Sequence, residues 1–424
     1  MKNNTKLTNA SIESAGLPKD PAQAIAEYIW NGFDAGASHI AIDYDSNELG
    51  YLHKIEIADN GEGIPHENLP LAFGNFLDST KRHAVKRSSY TRGKKGKGRF
   101  SFSLFATHAS WHTTYQHEDH AYSYKIAINR DQKEHYEVSS PMLSSRKSSG
   151  TTTLLQGVFN LQEDYLKSQE FHLFLAQEFG WFLFLNQHQG FEIRINGILL
   201  DYSSLIAEKD TISLNLNSPD VQSAAHFNVQ YVRWNASIGD RYYYYFLDSN
   251  HKEVSKQLSS FNNNAIDFHH SVYIQSNFFD NAAEDLLFSA DDNNLFSHKE
   301  QQLLYKRLHA ELRDLLDRKQ KKYVLEQAVQ GKLMELEEKR LLPYYESTPQ
   351  DQQRKSLLIA LIKEIYTADP RAFGGMKSEL TKTFLGLFDL LLQTARKQDL
   401  LPILAQSVKL SDKEYARIKE LIYK

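Results

Sequence analysis

The sequence contains no cysteine among its 424 residues. This absence excludes disulfide bonds, thiolate zinc sites and a cysteine nucleophile, and it suits a protein of the reducing cytosol. No apolar run approaches the roughly 18 to 20 residues that span a bilayer. The opening letters, MKNNTKLTNASIESAG, contain no apolar core of signal-peptide length. We therefore expect a soluble, cytoplasmic protein that is not inserted into a membrane.

An excess of charge of either sign is also absent, because the formal net charge is −4 at pH 7. This near balance argues against a protein whose whole surface coats nucleic acid, although it leaves room for a local basic face. Lys and Arg residues are concentrated between Lys81 and Arg99. A basic run of this kind is often a solvated loop, so it does not identify a ligand by itself.

Three zones of different pattern divide the chain. Residues 1–205 alternate helical and strand-like patterns, residues 206–296 contain aromatic strand-like runs, and residues 297–424 place leucines at helical spacing. A chain of this length is expected to form two or three domains. We predict an α+β protein with a domain for each zone, the last one being a helical or coiled-coil region.

The C-terminal segment SDKEYARIKELIYK begins with a capping box, in which Ser411 is followed three residues later by Glu414. A helix is predicted from this point, and it would continue to the last residue without a Gly, Asn or Pro stop signal. Such an uncapped end favours a chain cut from a longer protein over a frayed natural terminus.

The stretch EYIWNGFDAG places polar side chains within an apolar helical pattern. The acidic N-cap Asp20, followed by proline, and the stop residue Gly36 delimit the predicted helix. Glu27, Asn31 and Asp34 are spaced i, i+4 and i+7, so one stripe of the helix carries all three. The ordinary interpretation is an amphipathic helix with a polar side, and the alternative is a functional stripe.

A second polar motif follows two predicted strands, SHIAIDYD and YLHKIEIAD. The second strand continues into DNGEGIP, which contains Asp59, Gly61, Gly63 and Ile64. A carboxylate at the end of a strand, beside backbone without side chains, can hydrogen-bond a flat heterocycle. The alternative is an ordinary Asp-Asn-Gly turn, which is common in proteins.

Two further glycine motifs lie downstream. In TRGKKGKGRFSFSLFA, Gly93, Gly96 and Gly98 precede apolar residues that are predicted to begin a buried helix. Glycines before a helix N-terminus leave backbone N–H groups that can bind phosphate oxygens, although glycines also occur in solvated loops. Gly150 and Thr151 then open a β-branched strand, where a hydroxyl could reach a nucleotide.

Together and in this order, the motifs resemble those of the GHKL ATPase superfamily. This group includes gyrase-type topoisomerases, ninety-kilodalton heat-shock chaperones, histidine kinases, mismatch-repair proteins and MORC proteins. The helix matches E-x-x-x-N-x-x-D-A, the strand end matches D-x-G-x-G, and the glycine run matches G-x-x-G-x-G. The resemblance implies a Bergerat α/β sandwich, with helices on one face of a mixed, mostly antiparallel sheet, and a transducer-like domain at 206–296.

The resemblance also implies ATP and Mg²⁺ as ligands and a role for individual residues. Glu27 would be the general base, Asn31 would bind Mg²⁺, Asp34 would support the pocket, and Asp59 would accept a hydrogen bond from the adenine amino group. Histidine kinases lack the glutamate, so its presence favours an ATPase. The other expected nucleotide contacts are Gly61, Gly63, Ile64, Lys81, Gly93, Lys95, Gly96, Lys97, Gly98, Arg99, Phe100 and Thr151.

Two other groups of residues leave alternatives open. In relatives, the transducer-like domain sends a lysine or an arginine to the γ-phosphate, and Lys252 and Lys256, in the loop after YYYYFLDSN, are candidates by position alone. Both are explained more simply as surface lysines. His117 and His120, in HEDH, could suggest a metal site, but surface histidines in a hairpin turn are the simpler interpretation.

The expected function is an ATP-gated clamp in which ATP orders a lid formed largely by residues 81–92, two chains form a homodimer, and hydrolysis resets them. The motifs are most similar to those of bacterial and MORC-related ATPases, which favours a nucleic-acid client or a bacterial antiviral defence assembly. The C-terminal helices would bind a protein partner. Two alternatives stay open: a chaperone-like ATPase with protein clients, and an ATP-dependent interaction scaffold in which slow hydrolysis is only a timer.

Overall fold

A computed structural model of the chain describes residues 9–14, 17–18, 20–73, 98–146, 148–217, 224–259, 261, 266–280, 297–373, 376–394, 396–408 and 410–423. The chain forms two compact units. The first comprises Met1–Asn217, Ser223–Leu258 and His270–Asn293, and the second comprises Ser218–Gln222, Ser259–His269 and Asn294–Lys424. The division into three domains stays a prediction.

The first unit contains a nine-stranded sheet of mixed direction. Its strands are β1 (His39–Ser46), β2 (Leu52–Asp59), β3 (Ala106–His117), β4 (His120–Asn129), β5 (Glu137–Val138), β6 (Met142–Leu143), β7 (Gly150–Val158), β8 (Glu192–Ile195) and β9 (Ile198–Leu199). Their order is β5-β4-β3-β7-β2-β1-β8-β9, and β6 also pairs with β4. Within the described residues, β1 and β8 are parallel and the other pairs are antiparallel.

The same part of the chain contains several helices. They are α1 (Asn9–Ser14), α2 (Pro21–Asp34), α3 (Leu69–Phe73), α4 (Glu163–Lys167) and α5 (Gln169–Leu185). The prediction for α2 is confirmed. Asp20 caps the helix by accepting a hydrogen bond from Ala22 N at 2.6 Å, and Gly36 follows the helix with φ +76°.

Aromatic packing joins α2 to α5. The ring centroids of Trp30 and Phe179 are 4.8 Å apart, and those of Phe33 and Phe182 are also 4.8 Å apart. These rings are buried, and the indole of Trp30 donates a hydrogen bond to Glu178 Oε1 at 2.8 Å. Helix α2 is therefore fixed on its apolar side, which leaves its polar stripe for another use.

A second, five-stranded sheet belongs to the same unit. Its strands are β10 (Ile206–Asn217), β11 (Ala224–Trp234), β12 (Tyr243–Leu247), β13 (Glu253–Leu258) and β14 (His270–Gln275), in the order β10-β11-β14-β12-β13. The predicted β-rich pattern is thus confirmed. Tyr245 stacks on Tyr273 and on Trp181 of α5, with ring centroids 5.2 and 5.5 Å apart. The four tryptophans of the sequence, Trp30, Trp111, Trp181 and Trp234, are all buried in this unit.

The segment after the glycine run differs from its prediction. Residues Gly98–Leu104 form a short 3₁₀-helix, and β3 begins at Ala106. The letters that follow, ATHASWHTTYQH, are rich in β-branched and aromatic residues, which favour strands. The prediction that a buried helix begins here was therefore wrong beyond Leu104, because the chain enters β3 at Ala106.

The second unit is helical, as its leucine spacing predicts. Its helices are α6 (Ser297–Tyr323), α7 (Val329–Glu338), α8 (Pro349–Ala368), α9 (Ser378–Leu392), α10 (Leu400–Ser407) and α11 (Asp412–Tyr423), with a π-helical turn at Val324–Ala328. The capping box is confirmed, because Ser411 N donates to Glu414 Oε2 at 2.8 Å and Glu414 N donates to Ser411 Oγ at 3.4 Å. None of the described helices is both long and apolar enough to cross a membrane.

Candidate functional site

The polar stripe of α2 lies against the start of the 3₁₀-helix. Glu27, Asn31 and Asp34 are each half-buried on α2. A Cβ atom placed on Gly98 would lie 2.9 Å from Glu27 Oε2 and 3.4 Å from Asn31 Nδ2. The backbone at Gly98 therefore approaches both side chains closely, and a larger residue there would have to displace the glutamate.

Asp59 ends β2 and is held by two backbone groups. Its Oδ1 accepts hydrogen bonds from Gly61 N at 2.8 Å and Thr151 N at 3.3 Å. Burial raises the pKa of Asp59 above its ordinary value, and the two N–H donors offset part of this rise. No other described residue donates a hydrogen bond to this carboxylate, so Oδ2 can accept one from a ligand.

Glycines are required at two positions of the loop that follows Asp59. A Cβ atom on Gly61 would lie 2.7 Å from Ala35 O and 3.0 Å from Asp59 Oδ1. Gly63 has φ +74°, and a Cβ atom there would lie only 2.1 Å from Thr114 O. Any side chain at either position would collide with backbone, so glycine is what allows the loop after Asp59 to pack this closely against Ala35 and Thr114.

Three hydroxyl groups fix the loop that follows Asp59. Thr113 Oγ1 accepts a hydrogen bond from Ile64 N at 2.8 Å and lies 3.1 Å from Thr151 Oγ1. Tyr124 donates from its hydroxyl to Ile64 O at 2.9 Å. Burial raises the pKa of Tyr124, so its hydroxyl remains a donor. The sequence prediction included Ile64 and Thr151 but missed Thr113 and Tyr124.

The 3₁₀-helix is bound to α2 through a tyrosine that the sequence prediction also missed. Tyr28 donates from its hydroxyl to Arg99 O at 3.3 Å and accepts from Phe102 N at 3.0 Å. The guanidinium of Arg99 is buried, 4.7 Å from the centroid of the Phe100 ring and 5.7 Å from that of Phe73. Burial lowers the pKa of Arg99 to about 10. In this structure, Arg99 and Phe100 therefore pack against each other.

Several predicted phosphate contacts lie outside the described residues. They are Lys81, Gly93, Lys95, Gly96 and Lys97. Most of the predicted lid, 81–92 included, also lies outside the described residues.

The two candidate lysines of the second sheet have different surroundings. Lys256 lies within β13, so its placement in a loop was wrong. Its Nζ is 3.0 Å from Asp240 Oδ2 and 4.4 Å from the centroid of the Tyr243 ring, and its side chain is 13% exposed. Lys252 lies in a turn, where its backbone N donates to Asp248 Oδ1 at 2.8 Å. A γ-phosphate contact by either lysine stays a prediction.

The histidines of HEDH occupy a hairpin turn, as predicted. Strand β3 ends at His117, β4 begins at His120, and Glu118 between them has φ +51°. Within the described part of the chain, no group of three or more His, Asp or Glu side chains could hold a metal ion.

Comparison with known proteins agrees with this arrangement. A family model described as "Histidine kinase-, DNA gyrase B-, and HSP90-like ATPase" matches residues 19–155, a range that contains the α2 stripe, Asp59, Gly98 and Thr151. Residues 19–155 therefore form a domain of the GHKL ATPase superfamily. The predicted superfamily and fold class are thereby confirmed. The members of this family are ATPases.

Individual relatives match parts of this chain. The DNA mismatch repair protein MutL of Streptococcus sanguinis is 32% identical over 174 residues, which are 38% of this chain and 24% of the relative. The DNA mismatch repair protein MutL of Colwellia psychrerythraea is 42% identical over 74 residues, which are 18% of this chain and 11% of the relative. The matches thus span a quarter or less of these relatives.

Among solved structures, the Aquifex aeolicus MutL ATPase domain complexed with ADP matches with 14% identity and a TM-score of 0.31. That match covers 61% of this chain and 92% of the other.

Proposed function

We propose that this protein is a Mg²⁺-dependent ATPase that works as an ATP-gated, dimeric clamp on a nucleic-acid client or within a defence assembly. The approach of the Gly98 backbone to Glu27 and Asn31 carries the ATPase part of the proposal. It brings a general base, an oxygen ligand for a metal and phosphate-binding backbone together within the domain that the family match covers.

The surroundings of Asp59 fit adenine. Because Oδ1 is engaged by two backbone N–H groups, the carboxylate is oriented and Oδ2 is left to accept a hydrogen bond from the adenine amino group. Gly61 and Gly63 let the backbone of the adjoining loop pack closely against Ala35 and Thr114. Thr113 and Tyr124 hold the adjoining loop at Ile64, so this loop is preorganised without a ligand.

The polar stripe of α2 fits a magnesium nucleotide. Mg²⁺ prefers oxygen ligands and is commonly shared between one or two protein groups and substrate phosphates, where it neutralises charge. Asn31 supplies an amide oxygen, and the described residues offer no cluster of three acidic or histidine side chains that would bind a metal without a nucleotide. Glu27 would orient a water molecule and accept its proton.

Replacing Asn31 by alanine is expected to weaken ATP binding about 10- to 100-fold in the presence of Mg²⁺, because the protein loses its metal ligand. Binding in excess EDTA should be unchanged, since the contacts of Asp59 remain. Calorimetric titrations with and without Mg²⁺ measure the difference. Asn235→Ala, at an exposed position, is the control. An equal loss of affinity in both conditions would contradict the metal role.

The clamp is proposed from the resemblance and from the composition of the lid. Ordering a glycine-containing, charged segment costs about 1 to 2 kcal/mol per residue in backbone entropy, which bound phosphates could offset through the lysines near Gly96. A nucleotide can shift this equilibrium only by its preference for the closed form. The γ-phosphate should therefore make ATP more effective than ADP.

Protease cleavage after the basic residues 81–97 is expected to be slowest with ATP in Glu27→Ala protein, and light scattering should show dimers under the same conditions. ADP should protect the segment less. Because lid order and subunit contact are one event in this proposal, protection and mass should rise together. Identical cleavage and identical mass without nucleotide, with ADP and with ATP would contradict the clamp and leave a static ATP-binding scaffold.

The client and the alternatives can be separated experimentally. DNA or RNA binding that falls steeply with salt supports a nucleic-acid client, because phosphate contacts release counterions. Stimulation of ATP hydrolysis by an unfolded protein supports a chaperone-like ATPase. Stoichiometric co-purification of one partner, captured with ATP by Glu27→Ala protein, supports a defence assembly or scaffold and a role for the C-terminal helices.

A further inference from the structure

Tyr28 forms a direct connection between the helix that carries the proposed general base and the segment that approaches the nucleotide. It is buried on α2, immediately after Glu27 in the sequence. Its neighbours on the apolar side of the helix, such as Ile25 and Ile29, fill the core without polar atoms. The hydroxyl of Tyr28 is therefore an exception that packing alone does not require.

The hydroxyl engages both ends of one 3₁₀ turn. It donates to Arg99 O at 3.3 Å and accepts from Phe102 N at 3.0 Å. These two groups are three residues apart, which is the spacing of a 3₁₀ hydrogen bond. Both residues are buried, so water cannot easily replace the tyrosine as their partner. The side chain of Tyr28 thus connects the first turn of this short helix to α2 by two hydrogen bonds.

The 3₁₀-helix that Tyr28 binds begins at Gly98, the residue that contacts the polar stripe of α2. Gly98 directly precedes Arg99, and its backbone lies against Glu27 and Asn31. We propose that Tyr28 is a positioning residue, which sets the distance between this backbone and the two side chains and so orients the phosphates of a bound nucleotide. This role rests on the proposed ATPase function. In it, the hydroxyl of Tyr28 aligns the phosphates with the general base, Glu27.

The protonation of Tyr28 suits this role. Burial raises the pKa of Tyr28 far above its ordinary value, the hydrogen bond from Phe102 lowers it slightly, and the nearby charge of Glu27 raises it again. The hydroxyl therefore keeps its proton and can donate to Arg99 O over the whole working pH range.

Tyr28→Phe tests the proposal, because phenylalanine fills the same space and lacks only the hydroxyl. In the variant, amide hydrogen exchange of the peptide containing Phe102 should accelerate by about tenfold, since a buried N–H loses its partner. ATP turnover, and the preference for a non-hydrolysable ATP analogue over ADP, should each fall by about tenfold. The affinity for ADP should change less than about twofold, because Asp59 is untouched.

Tyr273→Phe is the matched control, because it removes a buried hydroxyl that donates to a backbone oxygen, Trp181 O, at 3.0 Å in the same unit. It should affect thermal stability without changing nucleotide preference or exchange at Phe102. If the wild type hydrolyses ATP and Tyr28→Phe has the same turnover and nucleotide preference, the positioning role is wrong. The same holds if Tyr28→Phe and Tyr273→Phe change these quantities equally. Either result leaves the proposed ATPase function standing. A wild-type protein that neither binds nor hydrolyses ATP would overturn the proposed function and this role with it.

Discussion

Replacing Glu27 by alanine is expected to lower the rate of ATP turnover by about 10²- to 10⁴-fold while ATP still binds. The side chain is half-buried on α2, one helical turn before Asn31 and against the backbone of Gly98. A general base acts in proton transfer, whereas adenine and metal are held by other residues. The measurement is kcat from phosphate release, together with the Kd for ATP from calorimetry on the same protein.

Two further variants show whether the lower turnover comes from the loss of the general base. Glu27→Gln keeps the volume against Gly98 and removes only the basicity, so it should lose turnover to a similar extent. Glu170→Ala, at an exposed position in the first turn of α5, is the control and should turn over ATP at the wild-type rate. If the Glu27→Ala protein turns over ATP as fast as the wild type, the glutamate takes no part in the chemistry.

Replacing Asp59 by asparagine is expected to weaken binding of ATP and ADP alike by about 1.5 to 3 kcal/mol, the scale of a hydrogen bond to a charged group. The amide oxygen can still accept from Gly61 N and Thr151 N, as Oδ1 does in the wild type. The NH₂ group then takes the place of Oδ2 and presents a donor to the adenine amino group, itself a donor. Calorimetry with each nucleotide measures the loss.

This loss should not come from unfolding. Because burial raises the pKa of Asp59, ionising its carboxyl group costs folding stability, and this cost grows as the pH rises above the ordinary pKa of an aspartate. Asparagine removes this buried charge, so the thermal midpoint should be equal or higher. Asp45→Asn, on the exposed side of β1, is the control. Wild-type affinity in Asp59→Asn would show that adenine binds elsewhere.

The sequence predicted those parts of the site whose signals are local. Helix α2 is delimited by Asp20 and Gly36 within its own letters, and the spacing of Glu27, Asn31 and Asp34 follows from the helical repeat. The strand that ends in Asp59 and the strand that begins at Gly150 are defined by alternation and by glycine. Such features depend on neighbours a few residues away, so a single sequence contains them.

The residues that the sequence prediction missed act over long separations. Tyr28 reaches a partner 74 positions away, Thr113 one 49 positions away and Tyr124 one 60 positions away. In the sequence, each is only an aromatic or β-branched residue in an apolar or strand-like run. The hydrogen bonds of Thr113 and Tyr124 exist because the sheet orders β4, β3, β7 and β2 side by side, and those of Tyr28 exist because α2 packs against the 3₁₀-helix. Local periodicity contains neither arrangement.

Lys256 shows the same limitation for a charged residue. A lysine in a polar stretch is usually exposed, which is why a loop position and a surface role were expected. The fold instead places its ammonium beside Asp240 and over the ring of Tyr243, with most of the side chain buried. The ion pair and the aromatic ring offset the loss of hydration. Asp240 comes from the connection between β11 and β12, and Tyr243 is the first residue of β12.

The placement of the tryptophans decides what an unfolding experiment on this chain would record. All four are buried in the first unit, and the residues from Ser297 onward include no tryptophan. Emission excited selectively from tryptophan therefore follows the melting of the first unit alone, while far-ultraviolet circular dichroism is dominated by the helices of both. A midpoint that differs between these two signals would mean that the units lose their structure in separate steps, and a single free energy of unfolding would then not describe the chain.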